Sequence, residues 1–542
     1  GNGLYAEWKS GISRTAFEVS AKNLADYLAL RRRDIRPLQN RLSKWGLSSL
    51  GRTESKVLQQ LDAIVRNLAL MSGAIKQLSD YPKTPEKFPG RKKLATEATA
   101  LLGDAPKHRT TRIMVTLPEQ AATDKDFLVR LLERGMDIAR INCAHDDSAV
   151  WLKMIENLKE AQKTAGKSCR IYFDIAGPKI RVDAVSSEKE KPRLKVGDLF
   201  FLTADASFKD LKHYPAIVFS ESLNLFDELK VDSPVILDDG VLEGRVVEQK
   251  SQGVVVQVGK TAKAKGIRIK PQKGLNFPES TFRMPILTDK DREDLLVAEI
   301  EADILGFSFV RGSKDIVAIQ NTLAEQVGSE AALAIPLVIK IETVEAVNHL
   351  PELIVAAASK NPLAIMIARG DLAAEAGFLR LSELQEEILW ICEAAHIPVI
   401  WSTQVLENMV KNGVPTRAEM SDATMAGQAE CVMLNKGDFV EEGIALLDAI
   451  LVQSQQNRSK KTAKLRALKI AKKAWRKTKK LVRMHHAFSL FLTTGAKLLN
   501  VPQVFDNFNP KIRQIVESFS TFDYLGSNWY QIVESAAPIR QI

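Results

Sequence analysis

No run of about 18 apolar residues interrupts this chain, so no segment reads as a membrane-spanning helix. Nor does the first stretch carry a charged-then-apolar leader, and the expectation is a soluble, cytoplasmic protein without membrane partners. Cysteine is scarce. Cys143, Cys169, Cys392 and Cys431 lie far apart with no CxxC or Cys/His cluster, which argues against a disulfide framework or zinc site and leaves buried thiols. Acidic residues are missing from one stretch: positions 458–483 hold thirteen Lys/Arg and no Asp/Glu, and the formal charge of +10 is concentrated there. The rest is near neutral, and nothing after the basic stretch resembles a nucleic-acid motif, so nucleic acid is not an expected partner. What is present is core material: 542 residues, 45% hydrophobic and 26% charged, enough for about two to four domains.

Residues 1–80 read as a helical arm, with Leu24, Leu28 and Leu30 and then Val57, Leu58, Leu61, Ile64, Val65 and Leu68 at helical spacing. A stretch rich in proline and glycine near 81–90 predicts a linker, drawn to 108. From there the pattern changes to short apolar runs between amphipathic helices: 112–117, 137–142, 170–174, 303–309, 336–341, 363–368, 398–402 and 431–434. About eight such runs are what a closed parallel barrel of the α/β class requires. Between the third and fourth runs, 199–203, 234–237, 240–247 and 253–258 read as strands of a small inserted domain. The expected organisation is a (β/α)8 TIM barrel over 109–181 and 276–452, a small β-barrel insert over 182–275, and a basic helix with a helical C-terminal extension over 453–542.

Reacting groups of such barrels lie where strands end. After the fifth run comes Lys340-Ile341-Glu342, a cation and a carboxylate two residues apart and therefore on one side of a strand. After the sixth comes Arg369-Gly370-Asp371. Glu342 and Asp371 can both reach one hard divalent cation, magnesium being the natural choice, and Lys340 beside it would offer a compact positive charge to a transferring phosphoryl group. The bland alternative is a salt bridge at the barrel mouth between Lys340 and Glu342. Ala161 to Ser168 imitates a phosphate-binding loop, but a helix precedes it and a strand follows, so Gly166 is read as a helix stop.

Val338-Ile339-Lys340-Ile341-Glu342 and Ile367-Ala368-Arg369-Gly370-Asp371-Leu372 resemble segments of the pyruvate kinase family. So do Ala139-Arg140-Ile141-Asn142 with His145, Asp174 with Gly177-Pro178-Lys179-Ile180-Arg181, Lys273-Gly274-Leu275-Asn276-Phe277-Pro278, Ser402-Thr403-Gln404-Val405-Leu406-Glu407, and Pro415-Thr416-Arg417-Ala418-Glu419. The resemblance covers about residues 110–452. It implies phosphoryl transfer from phosphoenolpyruvate to ADP, giving pyruvate and ATP, with Mg²⁺ or Mn²⁺. It also implies roles: Lys340, Thr403 and Arg140 catalytic; Arg140, Lys340, Gly370, Asp371 and Thr403 on the substrate; Glu342 and Asp371 on the metal; Arg181, Asn142, His145, Lys273 and Asp239 on the nucleotide. Asp238-Asp239-Gly240 resembles a lid motif, its plain alternative being a β-turn. A homo-oligomer is expected.

Three departures matter. Lys179 stands where potassium-dependent relatives carry glutamate, and Ala144 and Ile175 replace oxygen-bearing side chains, so a tethered ammonium is expected to replace K⁺. Asn435-Lys436-Gly437-Asp438 replaces the usual Ser-Gly-Glu-Thr, and the usual α/β effector domain is not legible after 452. A second reading is therefore a catalytically weak barrel that senses a phosphometabolite or serves as a scaffold. A third, a phosphoenolpyruvate-using barrel acting on a carbonyl acceptor, is disfavoured by the lid motif and Arg181.

Overall fold

The computed structural model describes residues 1–73, 90–187, 193–208, 210–220, 229–238, 240–278, 280, 284–459 and 462–463. The expected linker at 81–89, Asp239, nearly all of the basic stretch and the C-terminal extension lie outside the described residues. The arm is helical as expected: α1 (Asn2–Lys9), α2 (Thr15–Arg31), α3 (Arg36–Lys44) and α4 (Val57–Met71). One correction concerns 90–102, assigned above to a linker: it forms α5 (Gly90–Leu102). Its Leu94, Ala98, Leu101 and Leu102 are buried, a helical i, i+4, i+7, i+8 face that the preceding prolines obscured.

The barrel follows in order. It runs β1 (Arg112–Thr116), α6 (Lys125–Arg134), β2 (Ile138–Asn142), α7 (Ser148–Ala165) and β3 (Arg170–Ile175). The insert supplies β4 (Ala184–Ser186), β5 (Leu199–Thr203), β6 (Ile217–Phe219), β7 (Pro234–Leu237), β8 (Leu242–Lys250), β9 (Gly253–Thr261) and β10 (Leu275–Asn276). The barrel resumes with α8 (Asp289–Glu301), β11 (Ile304–Phe307), α9 (Ser313–Val327), α10 (Ser329–Ala334), β12 (Leu337–Ile341), α11 (Val344–Asn348), α12 (Leu350–Ala358), β13 (Leu363–Ala368), α13 (Arg369–Ala394), β14 (Val399–Ser402), α14 (Glu407–Asn412), α15 (Arg417–Ala426), β15 (Cys431–Leu434) and α16 (Val440–Asn457). Eight parallel strands close in the order β1-β15-β14-β13-β12-β11-β3-β2. All eight apolar runs became these strands, because a run buried on both faces has little alternative to a parallel sheet.

Alternation along each strand separates two cores. Ile113, Val115, Phe173, Ile339 and Ile365 face the surrounding helices. Met114, Ile138, Tyr172, Ile304, Val338, Ala364, Ile400 and Cys431, one from every strand, form a separate cluster that Ala98, Leu101 and Leu102 of α5 join. We read that cluster as the barrel interior, with α5 plugging its strand-N-terminal end. Gly306 is required there: a Cβ at this position would lie 1.8 Å from Tyr172 Oη. Gly166 ends α7 in a left-handed conformation, φ 63°, the helix stop that the order of elements predicted. The insert is a seven-stranded curled sheet with its own core around Phe200, Leu202, Val218, Val246 and Val256.

The arm is fastened at the strand-N-terminal side of the barrel. Asn23 Nδ2 donates to the carbonyls of Glu54 and Ala394, both at 2.7 Å, and Asn23 Oδ1 accepts from Val57 N–H at 2.9 Å. Arg14 pairs with Glu97 of α5 at 2.5 Å. Among the described residues no helix is long and apolar enough to cross a membrane.

Candidate active site

The site grows out of strand parity. Two residues beyond each interior hydrophobe, on the same face, the chain places Thr116 after Met114, Arg140 after Ile138, Asp174 after Tyr172, Lys340 after Val338 and Ser402 after Ile400. These side chains converge at the strand-C-terminal end. Lys340 Nζ lies 2.8 Å from Ser308 Oγ and 3.2 Å from both Asp174 Oδ1 and Glu342 Oε1. Arg140 donates from Nε (2.8 Å) and a terminal nitrogen (2.5 Å) to Asp174 Oδ2, and its other terminal nitrogen donates to Thr116 Oγ1 at 2.8 Å. Glu342 Oε2 accepts the Phe309 N–H at 2.6 Å. Arg140, Asp174, Lys340 and Glu342 are all buried.

Two cations and two carboxylates thus share one desolvated cluster, in which Asp174 and Lys340 favour each other's charged form. Burial alone would raise the Asp174 carboxyl, but Lys340 and Arg140 overcome it and hold it below its ordinary range. Burial alone would lower the Lys340 ammonium, yet Asp174 and Glu342 raise it. Glu342 goes the other way: burial and the neighbouring charge of Asp371 push it up against the pull of Lys340.

Beside this cluster, α13 begins on the Arg369-Gly370-Asp371 motif. Arg369 sets its position, gripping Asp422 and donating to the carbonyls of Ser402 and Thr403 while stacked over the Trp401 ring. The Thr403 hydroxyl accepts the Gly370 N–H at 2.9 Å, and Thr403 itself sits at φ 62°, a backbone conformation seldom adopted by β-branched residues and typical of functional turns. Asp371 is held by Lys179 Nζ at 2.6 Å, and that ammonium also lies 5.6 Å from the Phe309 ring centre.

Among the described residues no group of three His, Cys, Asp or Glu side chains forms a cage for a metal ion. Glu342 and Asp371 nevertheless offer hard oxygen donors from adjacent strand ends, and the electrostatic strain between them is the kind a divalent cation relieves. The donor set fits a magnesium ion that draws its remaining ligands from substrate and water.

The other expected residues are placed differently. Asn142 ends β2, its Oδ1 accepting the Ala144 N–H at 3.2 Å, and exposed His145 follows, lowered by desolvation and by Lys436. Arg181 and Lys273 lie at the root of the insert, Arg181 donating to the Gln272 carbonyl at 3.1 Å and Lys273 pairing with Asp238 at 2.8 Å. No described contact joins these four to Lys340. The Asp238 and Gly240 backbones have φ 54° and 88°, a tight turn between β7 and β8. Ser308, Asp174, Thr116 and Glu375 were not among the expected site residues. Parity would have found Thr116 and Asp174. Ser308, on the loop just past β11, obeys the same count through Ile304 and Gly306.

Residues 108–442 match the family description "Pyruvate kinase, barrel domain". This chain belongs to the pyruvate kinase family. A pyruvate kinase of Geobacillus stearothermophilus is 31% identical over 358 residues, 64% of this chain and 57% of that protein. One from Clostridium perfringens is 29% identical over 354 residues, 64% of this chain and 70% of that protein. A crystal structure of a pyruvate kinase from Cryptosporidium parvum superposes with a TM-score of 0.57 at 26% identity, covering 66% of this chain and 72% of that one.

The departures from the pyruvate kinase pattern also have a place in the structure. Asn435, two residues beyond Met433 on the interior face, donates to Glu407 at 3.3 Å. Gly437 leaves no room for a side chain, since a Cβ there would meet the Val410 carbonyl at 2.5 Å. Between insert and barrel lies a cavity of about 390 Å³ bordered by Lys179, Asn276, Phe309, Arg311 and Glu375.

Proposed function

We propose that the barrel mouth transfers a phosphoryl group between phosphoenolpyruvate and ADP. The observation that carries this reading is the position of Lys340: a buried ammonium, kept charged by Asp174 and Glu342, at the centre of a cluster that Arg140 completes. Phosphoryl transfer needs positive charge fixed in advance where negative charge spreads, and a rigid, desolvated cation costs no reorganisation when the reaction occurs. Arg140 offers a planar set of donors to phosphate oxygens. Glu342 and Asp371 would hold Mg²⁺, which when bound supplies Lewis-acid polarisation of the substrate oxygens. Gly370 and Thr403 form the floor on which the substrate carboxylate rests, and the enolate is protonated near Thr403. Arg181, Asn142, His145 and Lys273 face the nucleotide, with the insert as lid.

Lys179 carries the second part of the proposal, that turnover is independent of potassium. Its ammonium is already at the mouth, 2.6 Å from Asp371, while Ala144 and Ile175 bring no side-chain oxygen to a monovalent ion. Pyruvate formation from phosphoenolpyruvate and ADP with Mg²⁺ is expected, equal in sodium and potassium buffers, and reduced by about 10²–10³-fold in Lys340→Met. Turnover that requires potassium would overturn the role of Lys179 alone. Phosphoenolpyruvate binding without turnover on any nucleoside diphosphate would favour the sensor reading, which rests on the closed Lys179–Asp371 pair and the altered 435–438 segment.

A further inference from the structure

A charged concavity outside the barrel mouth lies where the arm meets α13. It encloses about 520 Å³ and is bordered by Arg31, Arg32, Arg33 and Arg36, with Trp390 of α13 and Gln39 of α3 among its walls, a size within the ordinary range of small-molecule sites. Four guanidiniums face two carboxylates, Asp34 and Glu54, in this lining. Asp34 is engaged by Arg36, which donates to both of its oxygens at 2.7–3.1 Å. Arg31 is fixed in place, stacked 4.9 Å from the Trp390 ring and bonded to the Tyr27 hydroxyl. Among the described residues Arg32 and Arg33 have no carboxylate partner.

Cations at the end of α2 would be expected from the helix dipole alone. The dipole does not explain why four of them ring a concavity, nor why one is locked against a tryptophan wall. Arg31 ends α2 and Arg36 opens α3, so two helices and the turn between them bring these guanidiniums to one place. Planar guanidiniums recognise phosphoryl oxygens by paired, charge-assisted bonds, and an aromatic wall suits the organic part of such a ligand.

We infer that this cleft is a binding site for a small soluble phosphate ester, recognised through Arg32 and Arg33 and separate from the site at the barrel mouth. The chain of residues 1–542 would be titrated by calorimetry with inorganic pyrophosphate at constant ionic strength, beside the R32A/R33A double variant. Both residues are exposed, so the variant is expected to keep the wild-type melting temperature and its activity. The expected result is two classes of site in the wild type, of which the double variant loses one or binds it roughly tenfold or more weakly. Identical isotherms for the two proteins would overturn the inference. So would a difference that equimolar sulfate abolishes, because the cleft would then be only a general anion surface.

Discussion

At the residue scale the site is a matter of which charges are allowed to remain unneutralised. Glu375 shows this best, because it sits beside the Lys179–Asp371 pair but outside the cluster that holds Lys340. Desolvation is the main reason its carboxyl is pushed up to about 7; Asp371 adds to the shift and the bond from Asn276 at 3.3 Å opposes it. Asn276 Oδ1 is buried without a partner, and a protonated Glu375 could donate to it. A carboxyl raised on folding contributes stability that is full below about 4.5 and is lost as pH climbs through about 7. Glu375→Gln mimics the protonated form at every pH. It is expected to leave the urea midpoint nearly unchanged at acid pH and to stabilise the protein at pH 8, by on the order of 3 kcal/mol or less. An equal gain at both pH values would show that folding does not shift the titration of Glu375.

At the scale of elements the question is how the arm is held. His396, fully buried between α13 and β14, has Nε2 3.0 Å from the Ser55 carbonyl and Nδ1 2.9 Å from Ser20 Oγ. A carbonyl only accepts, so Nε2 carries the proton and Nδ1 takes the serine hydroxyl's hydrogen. Burial dominates its titration and lowers it to about 4. A depressed histidine contributes stability that is present above about 6.5 and lost as pH falls through about 4. Docking of α2 against α13 is expected to weaken in that window, read as faster hydrogen exchange in α2 after correction for intrinsic rates. His396→Asn, which tolerates the left-handed backbone at φ 53°, should flatten the pH dependence. A wild-type profile that is already flat between pH 4 and 6.5 would show that His396 does not govern docking.

At the scale of the whole described body, Phe17, Leu24, Tyr27 and Val57 of the arm share one continuous core with the barrel helices. An arm joined by a common core has no separate melting transition. Calorimetry is expected to show no early peak for the arm, and deletion of residues 1–73 should expose this apolar face and produce aggregation. A resolved low-temperature arm transition would mean that the polar bonds of Asn23 and His396, and not the shared core, do most of the fastening.

The eight barrel strands were legible because each is a short run buried on both faces, and the strand-end motifs carried Lys340, Glu342, Arg140 and Asp371 with them. That information is local. Helix α5 was hidden because its apolar face is unremarkable until the barrel interior that it plugs exists. The partners of the site were hidden for a related reason: Lys179 and Asp371 are separated by 192 residues, and Lys340 and Asp174 by 166. Sequence alone determined which residue types stand at the strand ends and which face of each strand they occupy, since alternation with period two is a property of the extended chain. Only the tertiary structure decided which charges neutralise one another, that Asp371 is held by Lys179, and that four arginines surround one cleft, because electrostatic pairing depends on distance in space and on burial, neither of which a linear order contains.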